Sequence, residues 1–182
     1  GKNSYALLLA YLSALQCAAR VLPLNPQLPE TLLKQLLPGL DIEFIFDSHG
    51  SDLAGLDLIP LTDSAALPVT PQPWDGQRLA TLTLTSGSSG LPKAAVHRLD
   101  AHLASAEGVL SLMSFHTDES WLLSLPLFHV SGQGIIWRWL SVGATLVIRP
   151  MQSLSEALAG CTHASLVPTQ LWRLLTQPSD KL

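Results

Sequence analysis

The sequence predicts an α/β fold, and three features carry that expectation. Segments with helical spacing of apolar residues alternate with short apolar runs of strand character, the pattern of helices packed on sheet rather than of a bundle or a sandwich. Glycine and proline punctuate the joins, with 12 Gly and 13 Pro in 182 residues. Apolar residues make up 47% and charged residues 13%, about half the usual charged share of roughly 25%, so the chain is built to collapse onto a core.

Taken in order, Ser4 is placed to cap a helix from Tyr5 to about Ala19, and Leu24-Asn25-Pro26 marks a turn beyond it. Thr31 to Leu37 has the spacing of a short helix stopped by Pro38-Gly39, and Ile42 to Phe46 reads as a buried strand. Residues 47–77 carry Gly50, Gly55, Pro60, Pro68, Pro71, Pro73 and Gly76, which predicts connecting or edge structure. From Leu79 to Leu84 apolar residues alternate with Thr81 and Thr83, the period of a strand with two different faces. Ala94 to His97 predicts a second strand, after which Asp100 is expected to cap a helix from Ala101 to about Met113. Trp121 begins a further strand and Pro168 a late helix. Trp74, Trp121 and Trp172 are expected to pack rather than to bind, and Glu107, Glu119 and Glu156 to face solvent.

The same residues exclude several functions. The longest apolar run, Ala6 to Leu22, is broken by Ser13, Gln16 and Arg20 and falls short of the roughly 20 residues of a membrane span. The mean hydropathy of +0.31 therefore points to a piece of a larger protein whose apolar surface other sequence covers. Gly1-Lys2-Asn3-Ser4 has neither an initiator Met nor the charged start of a signal peptide, so Gly1 is expected to be an internal cut. Cys17 and Cys161 have no disulfide or metal spacing, which fits a reducing cytoplasm. A net charge of −4 without any basic stripe gives nucleic acid no purchase. His49, His97, His102, His116, His129 and His163 show no tight ligand spacing, so no protein metal site is expected. A homo-oligomer stays open.

The most chemically pointed segment follows the Leu79–Leu84 strand. Thr85-Ser86-Gly87-Ser88-Ser89-Gly90-Leu91-Pro92-Lys93 gathers hydroxyls, glycines and a lysine into one bend between two strands. Glycines let backbone N–H groups turn inward, hydroxyls add donors, and Lys93 adds a mobile charge, so the bend can cradle phosphates. An inert hairpin loop has the same composition. It is not a Walker loop, because Lys93 follows Pro92 and leads into a strand. Nor does it carry Gly-x-Ser-x-Gly spacing, although an amidase using Ser88 or Ser89 and a noncatalytic nucleotide-binding module both stay open.

The whole phrase from Leu82 to His97 closely resembles the phosphate loop of adenylate-forming enzymes, the superfamily of acyl-CoA synthetases, nonribosomal adenylation domains and luciferases. Leu8 to Pro29, with Ala18 to Pro26 within it, resembles that family's early helix and the strand and turn after it, and Leu125-Pro126-Leu127-Phe128-His129-Val130-Ser131-Gly132 its aromatic-His segment beside the acyl group. Trp121 to Leu140 and Cys161 to Arg173 are similar to the 2-succinylbenzoate–CoA ligases of menaquinone biosynthesis, so the likeness covers nearly the whole chain. It implies an α/β piece of the family's large N-terminal domain, a mixed sheet flanked by helices, with residues 1–182 in the central part of the AMP-binding domain. It also implies ATP and magnesium as partners, CoA as co-substrate, and an aromatic dicarboxylic acid activated first to an acyl-adenylate and then to a thioester.

Site residues follow from that resemblance. Thr85, Ser86, Gly87, Ser88, Ser89, Gly90 and Lys93 are expected at the phosphates, where preorganised donors favour the charge that grows on departing pyrophosphate. Magnesium is expected on the phosphate oxygens, without an all-protein site. His129 is expected beside the reacting carboxylate, with Ser131 and Gln133 donating to substrate oxygens and Gly132 and Gly134, read as a turn, letting a flat acid approach. Arg138, between Trp137 and Trp139 in an apolar stretch, needs an anionic partner, because burying a lone guanidinium costs several kcal/mol. The substrate's free ring carboxylate would be a planar bidentate match; an internal pair with Asp118 or Glu119 and a solvent-facing arginine are the alternatives. The family's later Tyr-Gly-x-Thr-Glu segment, ribose-binding Asp, hinge and catalytic Lys of the C-terminal domain have no counterpart in the chain, so turnover by residues 1–182 alone is not expected.

Overall fold

The computed structural model describes residues 2–46, 56–59, 70, 72–86, 90–151 and 153–176. They form two compact units, Gly1–Ala101 and His102–Leu182.

The first unit opens with α1 (Tyr5–Gln16). Ser4 caps it as the sequence predicts, its Oγ accepting from the Leu7 N–H at 3.1 Å. Leu8, Ala10, Tyr11 and Leu15 form its buried face. The helix stops short of Ala19 because Ala18 takes a left-handed φ of 61°. Arg78 Nη2 donates to the Leu15 carbonyl at 2.8 Å, which also accepts from the Ala18 N–H at 3.1 Å, so the helix end is held by two donors. The turn at Asn25 is an Asx-turn, in which Asn25 Oδ1 accepts from the Gln27 N–H at 3.0 Å. Helix α2 (Glu30–Leu36) runs into a 3-10 turn over Leu37–Gly39.

Strand β1 (Phe44–Phe46) pairs in parallel with β2 (Asp57–Ile59). Here the structure corrects the sequence: Phe44 is 52% and Phe46 41% exposed, because β1 has only this short partner among the described residues. Strand β3 (Leu79–Thr85) pairs antiparallel with β4 (Lys93–Arg98). Both faces of β3 are buried at its centre, Thr81 and Thr83 on one and Ala80 and Leu82 on the other. Val21 covers the other edge of β3, donating to the Ala80 carbonyl and accepting from the Leu82 N–H, both at 2.8 Å.

Helix α3 (Leu99–Leu110) starts one residue before Asp100, so that residue lies inside the first turn instead of capping it. Its carboxylate accepts from Gln77 Nε2 at 2.6 Å and from Arg98 Nε at 3.2 Å, which fixes the start of the helix against the preceding strand.

The second unit is built on parallel strands in the order β6-β5-β7, namely β5 (Ser120–Leu122), β6 (Thr145–Val147) and β7 (His163–Ala164). Parallel pairing requires crossovers, and α4 (Val130–Val142) and α5 (Leu154–Leu158) provide them. Trp121, Leu122, Leu123, Leu127, Ile135 and Ile136 fill the core. Gly143 ends α4 at φ 74°, the left-handed geometry in which glycine costs least. Helix α6 (Pro168–Thr176) begins where Pro168 predicts, but its Trp172 is 67% exposed, and Trp74 in the first unit 61%, so neither packs as expected among the described residues. No helix among these residues is long and apolar enough to cross a membrane.

Candidate active site

Two groups of residues have the chemistry the sequence singles out, one in each unit. In the first unit the β3–β4 ladder carries the small-residue bend at its open end. Thr85 stands opposite Lys93 as the last pair, and the Thr85 hydroxyl donates to the Lys93 carbonyl at 3.2 Å, closing the base of the bend. Ser86, Gly90 and Lys93 are exposed, and the Lys93 ammonium has no carboxylate partner among the described residues. Gly90 takes φ 104°, a conformation L side chains rarely adopt, which explains why glycine stands there. Gly87, Ser88 and Ser89 lie outside the described residues.

In the second unit the residues collect beyond the carboxyl ends of parallel strands, the usual place for ligands in such sheets. The chain leaves β5, runs through Leu123–Phe128 and enters α4 with His129 at the N-cap, its backbone extended at φ −109° and ψ 146°. The segment expected as a Ser-Gly-Gln-Gly turn is thus the first turn of α4. Two glycines in a helix cost about 1 kcal/mol each relative to Ala, and local packing explains both. A Cβ at Gly132 would lie 2.1 Å from the Pro126 carbonyl oxygen, so only glycine lets α4 start so close to the incoming backbone. A Cβ at Gly134 would lie 3.2 Å from Arg138 Nη1, one turn further on.

His129 and Ser131 are exposed at this helix start, and the His129 ring touches Phe128 at 4.6 Å without a hydrogen bond among the described residues. Gln133, by contrast, is fully buried and its Nε2 donates to the Leu127 carbonyl at 3.1 Å, tying α4 to the segment that presents His129.

Arg138 is 8% exposed. Its Nη2 donates to Ser165 Oγ at 3.2 Å, and its guanidinium carbon sits 4.5 Å from the centre of the Trp121 ring. Ser165 follows β7 directly, and its carbonyl accepts from the Ser124 hydroxyl just after β5, so two strand ends are stitched together beneath the guanidinium. Among the described residues no carboxylate pairs with Arg138: Glu119 accepts from the His116 N–H instead, and Asp118 is exposed. Arg138 Nε is buried with no hydrogen-bond partner among these residues. Burial away from water pushes its pKa down. The solvent-facing alternative is thus excluded, and an ion pair with Asp118 or Glu119 is not formed.

Ser165 and the ring of Trp121 as a partner of Arg138 are what sequence reasoning missed. Trp121 meets Arg138 through packing of α4 on β5, and Ser165 through the pairing of β5 with β7, neither of which a short sequence pattern specifies.

A family model described as AMP-binding enzyme matches residues 1–182. The chain is 59% identical over 174 residues to the 2-succinylbenzoate–CoA ligase of Salmonella typhimurium, a match that covers 95% of this chain and 38% of that protein. It is 57% identical over 182 residues to the 2-succinylbenzoate–CoA ligase of Escherichia coli, covering 98% of this chain and 39% of that one. Among solved structures, an arginine-to-lysine variant of E. coli MenE with bound OSB-AMS superposes with a TM-score of 0.90 at 54% identity, over 96% of this chain and 39% of that chain. The Bacillus subtilis o-succinylbenzoate CoA synthetase in complex with ATP and magnesium ion shares the fold, at a TM-score of 0.88 and 24% identity, over 100% of this chain and 41% of that one. The chain thus spans about two fifths of the length of the curated relatives it matches.

Proposed function

The chain belongs to the AMP-binding enzyme family, and from that premise we propose that the whole protein is an ATP-dependent ligase that joins 2-succinylbenzoate to CoA in menaquinone biosynthesis. Residues 1–182 would supply part of its AMP-binding domain. The observation that carries the substrate assignment is the buried Arg138 guanidinium with no carboxylate partner among the described residues. A guanidinium held out of water with N–H donors left over is suited to an anion, and 2-succinylbenzoate brings a carboxylate that its activation leaves free. The relatives named 2-succinylbenzoate–CoA ligase support the same reading.

In the first half-reaction an oxygen of the succinyl carboxylate attacks the α-phosphorus of ATP. A new P–O bond forms, the bond from that phosphorus to the bridging oxygen breaks, and pyrophosphate leaves with the electron pair. In the second, CoA sulfur attacks the acyl carbon, the acyl–oxygen bond to AMP breaks, and the thiol proton passes to water. Charge grows on pyrophosphate in the first step, so a cation and donors fixed in advance lower that barrier. Lys93, anchored by the β3–β4 ladder, would provide the cation, and Ser86, Gly90 and the Gly87–Ser89 segment the neighbouring donors. Thr85 fixes the base of the bend. Magnesium, held on phosphate oxygens, would neutralise phosphate charge.

His129, exposed at the start of α4, would border the reacting carboxylate, with Ser131 beside it. Arg138 would take the ring carboxylate in a bidentate pair and so set which end of the acid reaches ATP. Gly132 and Gln133 would act by holding the start of α4 in place. A cytoplasmic location is supported by the free thiols of Cys17 and Cys161 and by the ATP and CoA that the reaction consumes.

Steady-state kinetics of Arg138→Lys in the full-length enzyme test the assignment. KM for 2-succinylbenzoate should rise about 10-fold or more while KM for ATP stays put, because lysine cannot reproduce the planar fork. An unchanged KM for 2-succinylbenzoate would refute the pairing.

A further inference from the structure

Among the described residues no acidic neighbour aims Arg138. A guanidinium at the end of three methylenes has many rotamers, and a bidentate pair with a carboxylate forms only when its plane is set. Among the described residues hydrogen bonding gives one constraint, from Nη2 to Ser165 Oγ at 3.2 Å. That single bond still lets the guanidinium rotate about it. The second constraint is the Trp121 ring, whose centre lies 4.5 Å from the guanidinium carbon. Trp121 is itself immobile. It is 2% exposed, sits in β5 opposite His163 of β7, and is held by Phe115 edge-on at 4.9 Å and by the His163 ring at 5.3 Å.

We propose that Trp121 is a positioning residue for substrate selection: its π-face holds the Arg138 guanidinium, charged and oriented, in the role a carboxylate would otherwise fill. The distinction matters chemically. An acidic partner would stabilise the guanidinium but would also neutralise it and occupy its donors, leaving little to recognise a second carboxylate. An aromatic face attracts the cation through its quadrupole and consumes no N–H donor. The buried charge is thereby kept in place with donors free for the ligand. Gly134 fits the same arrangement, since a Cβ there would meet Nη1 at 3.2 Å on the helix side of the guanidinium.

The proposal rests on the reading that Arg138 binds the ring carboxylate, and its test separates the two ideas. The full-length enzyme is assayed with 2-succinylbenzoate and with 4-oxo-4-phenylbutanoate, which has the same reacting chain and no ring carboxylate. The measured quantity is the ratio of the two kcat/KM values. Trp121→Phe should lower that ratio about 5-fold, through KM for 2-succinylbenzoate, with kcat/KM for 4-oxo-4-phenylbutanoate and KM for ATP unchanged. Replacing Trp121 by 5,7-difluorotryptophan, which weakens the π-face at nearly constant shape, should lower the ratio in the same direction and keeps the test valid if the phenylalanine variant fails to fold. Equal losses with both acids, or an unchanged ratio, would make Trp121 a packing residue only. Arg138→Met is run in parallel. If it too leaves the ratio unchanged, the pairing of Arg138 with the ring carboxylate is what fails; if it collapses the ratio while the Trp121 variants do not, the positioning role alone is lost.

Discussion

Gly134 and Arg138 lie one helical turn apart in α4, and a methyl group at Gly134 would press against the Arg138 guanidinium, 3.2 Å from Nη1 and 3.8 Å from the guanidinium carbon. Glycine weakens a helix interior, so its presence here trades helix propensity for a path along which a long cation folds back over its own helix. Arg138 is then pressed toward Trp121 and Ser165 rather than toward solvent.

Gly134→Ala should therefore leave the fold intact, or even stabilise α4 by up to about 1 kcal/mol, while displacing the guanidinium by a few tenths of an ångström. In the full-length enzyme the expected result is a several-fold rise in KM for 2-succinylbenzoate with KM for ATP unchanged. A variant with higher melting temperature and unaltered KM would show that the guanidinium does not need that space.

Gly132→Ala should behave in the opposite way. The added methyl would meet the Pro126 carbonyl oxygen at 2.1 Å and its carbon at 2.5 Å, both backbone atoms that no side-chain rotation can move. Overpacking of this kind costs about 3 kcal/mol, read as a lower urea midpoint of the full-length protein. Normal stability of the variant would mean that α4 can start elsewhere.

Arg138→Met should raise stability. Burial lowers the Arg138 pKa, so the unfolded chain holds that proton more tightly than the folded one. The resulting cost is present at every pH below the folded value and is relieved only as pH rises through it. Arginine keeps its proton across any ordinary working range, so the difference between variant and wild type should stay flat from about pH 5 to about pH 9. The Trp121 face and the Ser165 hydroxyl offset only part of that cost, so an apolar side chain of similar length should still gain about 1–2 kcal/mol in thermal unfolding without substrate. A loss of stability would indicate that the charge is already compensated in the free protein.

The features legible in the sequence were those that local chemistry determines. Ser4 caps α1 because a hydroxyl three residues before the Leu7 N–H needs nothing from the rest of the fold. The Thr85–Lys93 bend is flanked by strands because alternation on one side and a short apolar run on the other both specify extended backbone. Arg138 stood out as a charge in an apolar stretch, and it is buried.

What was not legible depends on neighbours distant in the chain. The Ser131–Gly134 stretch reads as a turn, because glycines disfavour helix, and becomes one turn of α4 only because Gly132 has Pro126 against it and Gly134 has Arg138. Exposure of Phe44 and Phe46 depends on which strands lie beside β1, not on the residues themselves. Ser165 reaches Arg138 from 27 residues away, across two strands whose pairing no short pattern specifies.

Exchange of labelled pyrophosphate into ATP by the full-length protein, measured without CoA, tests the central claim most directly. The account predicts exchange that requires 2-succinylbenzoate and falls by about 10²-fold or more in Lys93→Ala, as expected when a transition-state charge contact is removed. Exchange that proceeds equally without the acid, no exchange at all, or inactivation by a serine-directed covalent reagent in a protein that needs no ATP would contradict it.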